Sequence, residues 1–242
     1  MGFVLVRVRF LKKFLRGLLL TPLILFGLFL GWVWLLGQIP VPSSAFMLQH
    51  NVRAFFSEEI DYVRYRWVPL QEIPPALRLA VIASEDQNFP DHFGIDIEAT
   101  RAAIQAYREG RSSGGGSTIT QQVAKNLFLW GDRSRLRKVL EWGLAILLEW
   151  MWSKERILEV YLNIAQMGKQ EYGVGAAADY LLQKPVASIT AQEAALIAAV
   201  LPSPARFDLR QPSAYMRSRQ AFILRQMNAL GGERYLQRLS AP

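Results

Sequence analysis

Between Arg16 and Arg53 the chain carries no Asp, Glu, Lys or Arg, while the sixteen residues before that gap hold Arg7, Arg9, Lys12, Lys13 and Arg16 and no acid. An uncharged apolar stretch from Gly17 to Gly37 is long enough to cross a bilayer as a helix. Its basic flank predicts a cytoplasmic N-terminus, with everything after Gln38 on the far side. An uncleaved anchor is favoured over a signal peptide cut near Ser43-Ser44-Ala45, because the apolar run outlasts a usual signal core. The expected layout is a basic cytoplasmic segment (1–16), a transmembrane anchor (17–37), a linker (38–50) containing Pro40 and Pro42, and a domain (51–242). The chain has no cysteine, so disulfides and thiolate metal sites are excluded. The net charge of +8 does not point to nucleic acid, because much of the positive charge lies in the flank and no aromatic-basic recognition motif accompanies it.

Within the domain, strand signals are sparse and helical patterns dominate, so a mainly α fold is expected. A proline-started apolar stretch, Pro74 to Ile82, delivers Glu85 and Asp86 to the last turn of a helix before Pro90 ends it. A carboxylate there faces the negative end of the helix dipole and is inclined to hold a proton near neutrality, which suits a general acid or base. Solvated cap residues are the plainer alternative. A helix from Ile97 through Tyr107 gives way to Glu109-Gly110-Arg111-Ser112-Ser113-Gly114-Gly115-Gly116, a glycine-serine loop. Thr118 with Gln121 three residues on reads as a capping box, so a helix begins there with free N–H groups that form an anion site. Lys125, one turn further, brings a point charge toward the same anion. The Gly-Lys-Ser/Thr ending of a nucleotide loop is missing, so ATP is a poor ligand.

Leu127 to Trp130 are expected either to dip into a membrane surface or to pack in the core. One long helix is expected from Arg135 to about Ile164, with Arg137 and Glu141 at i and i+4 and Lys138 beside them. Its Trp142, Ile146, Trp150 and Trp152 make it too apolar for a surface helix, so burial or lipid contact is expected. Gly168 and Gly173 to Gly175 are expected to end the helical run. Thr190 with Glu193 is a second capping box, Pro202 stops the helix it opens, and a last helix runs from Ser213 to Leu230. His92 is read as a structural partner of its loop rather than a metal ligand, and no metal site is expected.

Five motifs, E-D-Q-N-F-P-D-H-F-G, G-G-S-T-I-T-Q-Q-V-A-K-N, R-K-V-L-E, K-E-R-I-L-E-V-Y-L-N and A-A-L-I-A-A-V-L-P-S-P, occur in that order. Together they resemble the family 51 glycosyltransferases that polymerise peptidoglycan, and in particular the monofunctional, membrane-anchored ones. The resemblance implies a lysozyme-like helical domain with a smaller membrane-touching lobe. It implies lipid II and the growing glycan chain as substrates, membrane lipid as neighbour, and other cell-wall synthases or division proteins as partners. The implied location is the bacterial inner membrane, single-pass, with the catalytic domain periplasmic. Glu85 and Glu141 match the family's catalytic carboxylates. Asp86, Ser117, Thr118, Gln121, Gln122, Lys125, Asn126, Arg137, Lys138 and Lys154 fall in its substrate-binding motifs. No cofactor is obligatory, with room for a divalent cation (Mg or Mn) assisting pyrophosphate departure.

No serine is followed three residues later by lysine, so polymerisation without transpeptidation is expected. Where relatives often show G-V-E-A-A, this chain has Gly173-Val174-Gly175-Ala176-Ala177. A lytic transglycosylase or lysozyme-like hydrolase would share the helix-end glutamate but has no need of the cations, and a non-catalytic envelope scaffold would need neither.

Overall fold

The structure, a computed structural model, describes residues 20–110, 116–132 and 134–240. The basic segment 1–16, the first residues of the expected span and the centre of the glycine-serine loop lie outside them. The described residues form two compact units divided between Ile39 and Pro40. In the first, residues 20–36 make one helix, α1, with exposed Leu23, Ile24, Leu28, Trp32 and Trp34. Among the described residues no helix is long and apolar enough to cross a membrane.

The second unit is mainly helical. It opens with α2 (Ala45–Phe55), capped by Ser44, whose hydroxyl accepts from the Met47 N–H. This helix begins inside the stretch expected to be linker. Strand β1 (Arg64–Tyr65) follows and then α3 (Pro75–Glu85), with Pro at its first position, where a missing N–H costs nothing. Next come α4 (Ile97–Arg108), α5 (Ile119–Phe128), α6 (Arg135–Met151) and α7 (Lys154–Ile164). Strand β2 (Glu171–Tyr172) pairs in parallel with β1, Arg64 opposite Glu171 and Tyr65 opposite Tyr172. Short helix α8 (Gly173–Ala176) runs into a π-helical turn at Ala177–Leu182, and α9 (Ala191–Val200) and α10 (Ala214–Ala229) complete the set before a 3₁₀ stretch at Gly232–Ser240.

Helix α3 packs against α9 and α10, and α5 against α6 and α7. Leu77, Leu79, Ala80, Val81 and Ile82 of α3 meet a face of α9 made of Ala194, Ala195, Ile197, Ala198 and Ala199, all buried. The small side chains of α9 suit close helix packing, and burial of both faces anchors the helix that ends at Glu85. Thr190 and Glu193 close the expected capping box at the start of α9.

Several expectations need correction. The long helix is two: the Ser153 hydroxyl caps α7 by accepting from the Arg156 N–H, and Trp152 is extended. A serine followed by Lys-Glu-Arg is an N-cap signal. Helix α6 is not largely buried, since only Glu141, Ala145 and Leu148 are, while Leu136, Val139, Trp142, Ile146 and Trp150 are exposed. Leu127 and Leu129 are core residues and only Trp130 of that quartet is clearly exposed, so of the two readings core packing holds for the leucines.

Gly173 starts a helix instead of ending one. Its φ of +78° is a left-handed conformation, and a Cβ there would collide with the Asn163 carbonyl. A Cβ on Gly175 would meet the Arg66 carbonyl oxygen. The glycine that departs from the relatives' glutamate is thus the residue this backbone crossing admits.

Candidate active site

Glu85 stands at the C-terminus of α3, its carboxylate mostly buried. Ser84 Oγ donates to Oε1 and Gln122 Nε2 to Oε2, each at 3.0 Å, and the Arg219 guanidinium lies 3.8 Å from Oε1. Gln122 is aimed in turn by Tyr161, whose hydroxyl donates to Oε1 at 3.1 Å. Burial drives the Tyr161 phenol well above its usual pKa and the charges of Glu85 and Asp86 add to the rise, so it stays a neutral donor. A cleft of about 220 Å³ lined by Glu85, Asn88, Ser117 and Thr118 opens on one side of the Glu85–Gln122 contact. A second, of about 230 Å³, is lined by Gln122, Lys125, Asn126 and Tyr161.

Asp86 is not free. Both its oxygens lie 3.0 Å from His92 Nε2, and Oδ2 accepts the Ile119 N–H at 2.9 Å. The anion at the N-terminus of α5 is therefore the protein's own carboxylate. The expected anion site is filled, and Asp86 ties the end of α3 to the start of α5. Thr118 caps α5 by accepting the Gln121 N–H and donates to the Gly94 carbonyl at 2.6 Å. Only this half of the expected capping box forms, because the Gln121 side chain turns to Lys138 instead. His92 is the loop partner that the sequence suggested.

Glu141 is buried between two cations. Arg137 Nη1 donates to Oε2, and Lys138 Nζ sits 2.5 Å from Oε1. Lys138 also reaches Ser117 Oγ at 3.0 Å and Gln121 Oε1 at 3.2 Å, so it staples α6 to the start of α5. With two cations on one carboxylate the group keeps a net positive charge. Lys125 faces the second cleft with its ammonium 5.5 Å from the Phe46 ring. Burial pulls its pKa below the usual lysine value. Glu141 and Glu85 oppose that shift, while Arg137 and Lys138 reinforce it. Lys125 thus lies within electrostatic reach of both carboxylates.

Of the residues singled out from sequence, Glu85, Gln122, Lys125 and Asn126 gather around the clefts, with Ser117 and Thr118 on the first cleft's rim. Arg137, Lys138, Glu141 and Gln121 form the adjoining charged cluster. Lys154 does not join them. Its ammonium binds the His92 carbonyl at 2.6 Å and Glu149 at 2.7 Å, above the Phe89 ring, and so clamps the loop that carries His92. Glu149 also accepts from Thr120 Oγ1 at 2.5 Å. Sequence reasoning missed Ser84, Tyr161 and Arg219 as neighbours of Glu85. Tyr161 registered only as an inward residue of its helix, and Arg219 only as one of three arginines near the C-terminus. No local pattern marks either, since both approach from elements distant in the chain.

The family model described as Transglycosylase matches residues 52–228. The biosynthetic peptidoglycan transglycosylase of Klebsiella oxytoca is 50% identical over 233 residues, 95% of each chain. Its counterpart in Pasteurella multocida is 47% identical over 221 residues, 91% of this chain and 90% of the relative. That of Escherichia coli is 48% identical over 231 residues, 94% of each. The matched region runs from α2 to α10 and contains Glu85, Glu141 and every cation of the cluster, so the chain belongs to the transglycosylase family.

Proposed function

We propose that the protein polymerises lipid II into β-1,4-linked glycan, releasing undecaprenyl pyrophosphate, without transpeptidation. The observation that carries this reading is the separation of charge. One carboxylate, Glu85, borders an open cleft, while Arg137 and Lys138 pair with a second carboxylate, Glu141, that is already neutralised, and Lys125 faces another cleft within electrostatic reach of both. In this reading Glu85 takes the proton of the 4-hydroxyl of one sugar as its oxygen bonds to the anomeric carbon of the other. The carbon–oxygen bond to pyrophosphate breaks on the opposite face, its electron pair leaves with the phosphate, and the linkage inverts from α to β. Lys125, Arg137 and Lys138 hold the charge that develops there, and Glu141 orients the last two. Asp86, His92 and Lys154 position the loop rather than touch substrate. A lysozyme-like hydrolase would not require this cation group.

No cofactor is obligatory in this reading. Among the described residues no three His, Asp or Glu side chains converge, so a magnesium or manganese ion would be carried on the pyrophosphate itself. Loss of activity in chelator, restored by either ion, would show its part.

The domain is read as periplasmic and held to the inner membrane by a single anchor spanning residues 17–37, with residues 1–16 cytoplasmic and 38–50 linking it to the domain 51–242. The exposed apolar row on α6, with Phe93 and Ile97 lining a cleft together with its Ile146, supports a smaller lobe resting on the lipid. Extraction from membranes by detergent but not by salt or carbonate tests the anchor.

The direct test of function is incubation with labelled lipid II, comparing wild type, Glu85→Gln and Glu141→Gln, followed by lysozyme digestion. Lysozyme-sensitive polymer from wild type, with a fall of about 10²–10⁴-fold in Glu85→Gln, is expected. Cleavage of preformed glycan in place of synthesis would overturn the reading, neither product would leave a scaffold, and polymer made equally by Glu85→Gln would remove Glu85 from the role of base.

A further inference from the structure

A cleft of about 610 Å³ lies in the domain apart from the one that borders Glu85. Helix α2 forms one wall with Phe46, His50 and Arg53, and the turn between α7 and β2 forms the other with Lys169 and Tyr172. Phe46, Gln166 and Tyr172 are shared with the Lys125 cleft, so the two adjoin and one ligand can occupy both. Most of the polar groups in the large cleft are committed to the frame. Gln49 Nε2 donates to the Leu129 carbonyl at 2.9 Å. His50 bridges the Tyr172 hydroxyl at 3.2 Å and the Asp61 carbonyl at 3.0 Å, and Gln166 is held by its own turn.

What remains for a ligand is charged and of both signs. Arg53 and Lys169 line the cleft, and neither side chain has a hydrogen bond or ion pair among the described residues; Glu59 and Asp61 line it as well. A neutral sugar would need no such charges. A pyrophosphate would need the cations and would be repelled by the acids. A short peptide bearing both carboxylates and an ammonium group satisfies both sets, and the volume lies within the range of pockets that enclose a ligand of several residues.

We propose that this cleft is a subsite for the peptide stem carried by the glycan, with Arg53 and Lys169 pairing its carboxylates and Glu59 and Asp61 its ammonium. The assignment rests on the glycan-polymerase reading. Held there, a stem would keep the growing strand in place while the next disaccharide is added. The subsite therefore governs how long the strand becomes, not how fast the first bond forms.

The experiment compares the full-length protein with Arg53→Glu/Lys169→Glu in two assays, with far-UV circular dichroism and a urea midpoint confirming that the variant is folded. First, a soluble muramoyl pentapeptide is titrated against each. The wild type binds it, and the variant binds about tenfold more weakly, about 1.4 kcal/mol. Amidation of the peptide's carboxylates weakens wild-type binding to a similar degree and leaves the variant unchanged. Second, on lipid II the variant gives shorter strands, while the initial rate of joining two molecules stays within about twofold of wild type, the margin expected for side chains that line neither the Glu85 cleft nor the Lys125 cleft. Arg53→Lys/Lys169→Arg serves as the charge-conserving control and retains wild-type strand length.

No binding of the peptide to wild type, or strands of equal length from both proteins, overturns the proposal. Displacement by inorganic pyrophosphate in preference to the peptide assigns the cleft to a phosphate and overturns it as well. If the wild type binds the peptide yet makes no polymer, the subsite stands and the polymerase reading falls.

Discussion

Asp86→Asn tests whether the carboxylate at the start of α5 is a structural tie or a substrate contact. The native group is buried, accepts the Ile119 N–H at 2.9 Å and faces His92 Nε2 at 3.0 Å from both oxygens. In the amide, one oxygen can still accept from Ile119. The NH₂ group must then face His92, whose proton moves to Nδ1, a buried atom with no partner among the described residues. A hydrogen bond to a charged group contributes about 1.5–3 kcal/mol against about 0.5–1.5 for a neutral one. Removing a charge from a helix N-terminus costs a further ~0.3–1 kcal/mol. Together these give a loss of about 1–2.5 kcal/mol. Urea unfolding followed by tryptophan fluorescence measures it, with an unchanged slope as the sign that only stability moved.

The same tie sets α5 against α3 and hence Gln122 against Glu85. Turnover should therefore fall about tenfold or more while the KM for lipid II holds, since misplacement of a catalytic group by a fraction of an ångström is enough. A variant within about 0.5 kcal/mol of wild type would refute the tie, that being the ordinary scatter of surface substitutions. A rise in KM alone, with stability intact, would make Asp86 a substrate contact.

Two further outcomes follow from the same structure. Because burial holds the Lys125 pKa below the ordinary lysine value, its ammonium is lost at lower pH than an exposed lysine's, and the KM for lipid II should rise as pH climbs toward, but before, about 10.4. Lys125→Arg keeps its charge and should flatten that rise; superimposable pH profiles would refute the role given to Lys125. Asn163→Ala removes the buried amide that accepts the Val68 N–H at 2.7 Å and donates to the Val68 carbonyl at 2.9 Å. Two orphaned backbone groups at about 1–3 kcal/mol each predict a loss of about 2–5 kcal/mol in urea unfolding, and a loss under about 1 would show that water replaces the amide.

What the sequence made legible is what depends on near neighbours in the chain. Pro75 starts α3 through its fixed φ and missing N–H, Thr118 and the Thr190–Glu193 box start α5 and α9 by local hydrogen bonding, and those ends appear where expected. The residues around Glu85 were legible only in part. Gln122 lies on a recognisable motif, whereas Tyr161 and Arg219 arrive from α7 and α10, and nothing in their own surroundings announces the meeting. Asp86 shows a different failure. The free N–H groups at the α5 start were read correctly as a site for an anion, but local pattern cannot say whether that anion is a ligand or another part of the chain. For the apolar residues the sequence left two readings open, and tertiary packing decides between them. Leu127 and Leu129 are buried by tertiary packing, while Trp142 and Trp150 are exposed because α6 offers its core only a narrow stripe.

The parallel pairing of β1 with β2 joins Arg64 to Glu171, 107 residues further on. A strand of two residues has no partner within its own neighbourhood, and loop closure over such a distance must precede any gain from the contact. A chain emerging N-terminus first therefore carries β1 as an open edge until Tyr172 has followed it. The segment between α2 and α3 should be among the last to acquire protection against hydrogen exchange during refolding, after the α3–α9 and α5–α7 pairs. It should be the first to open again when the protein is strained.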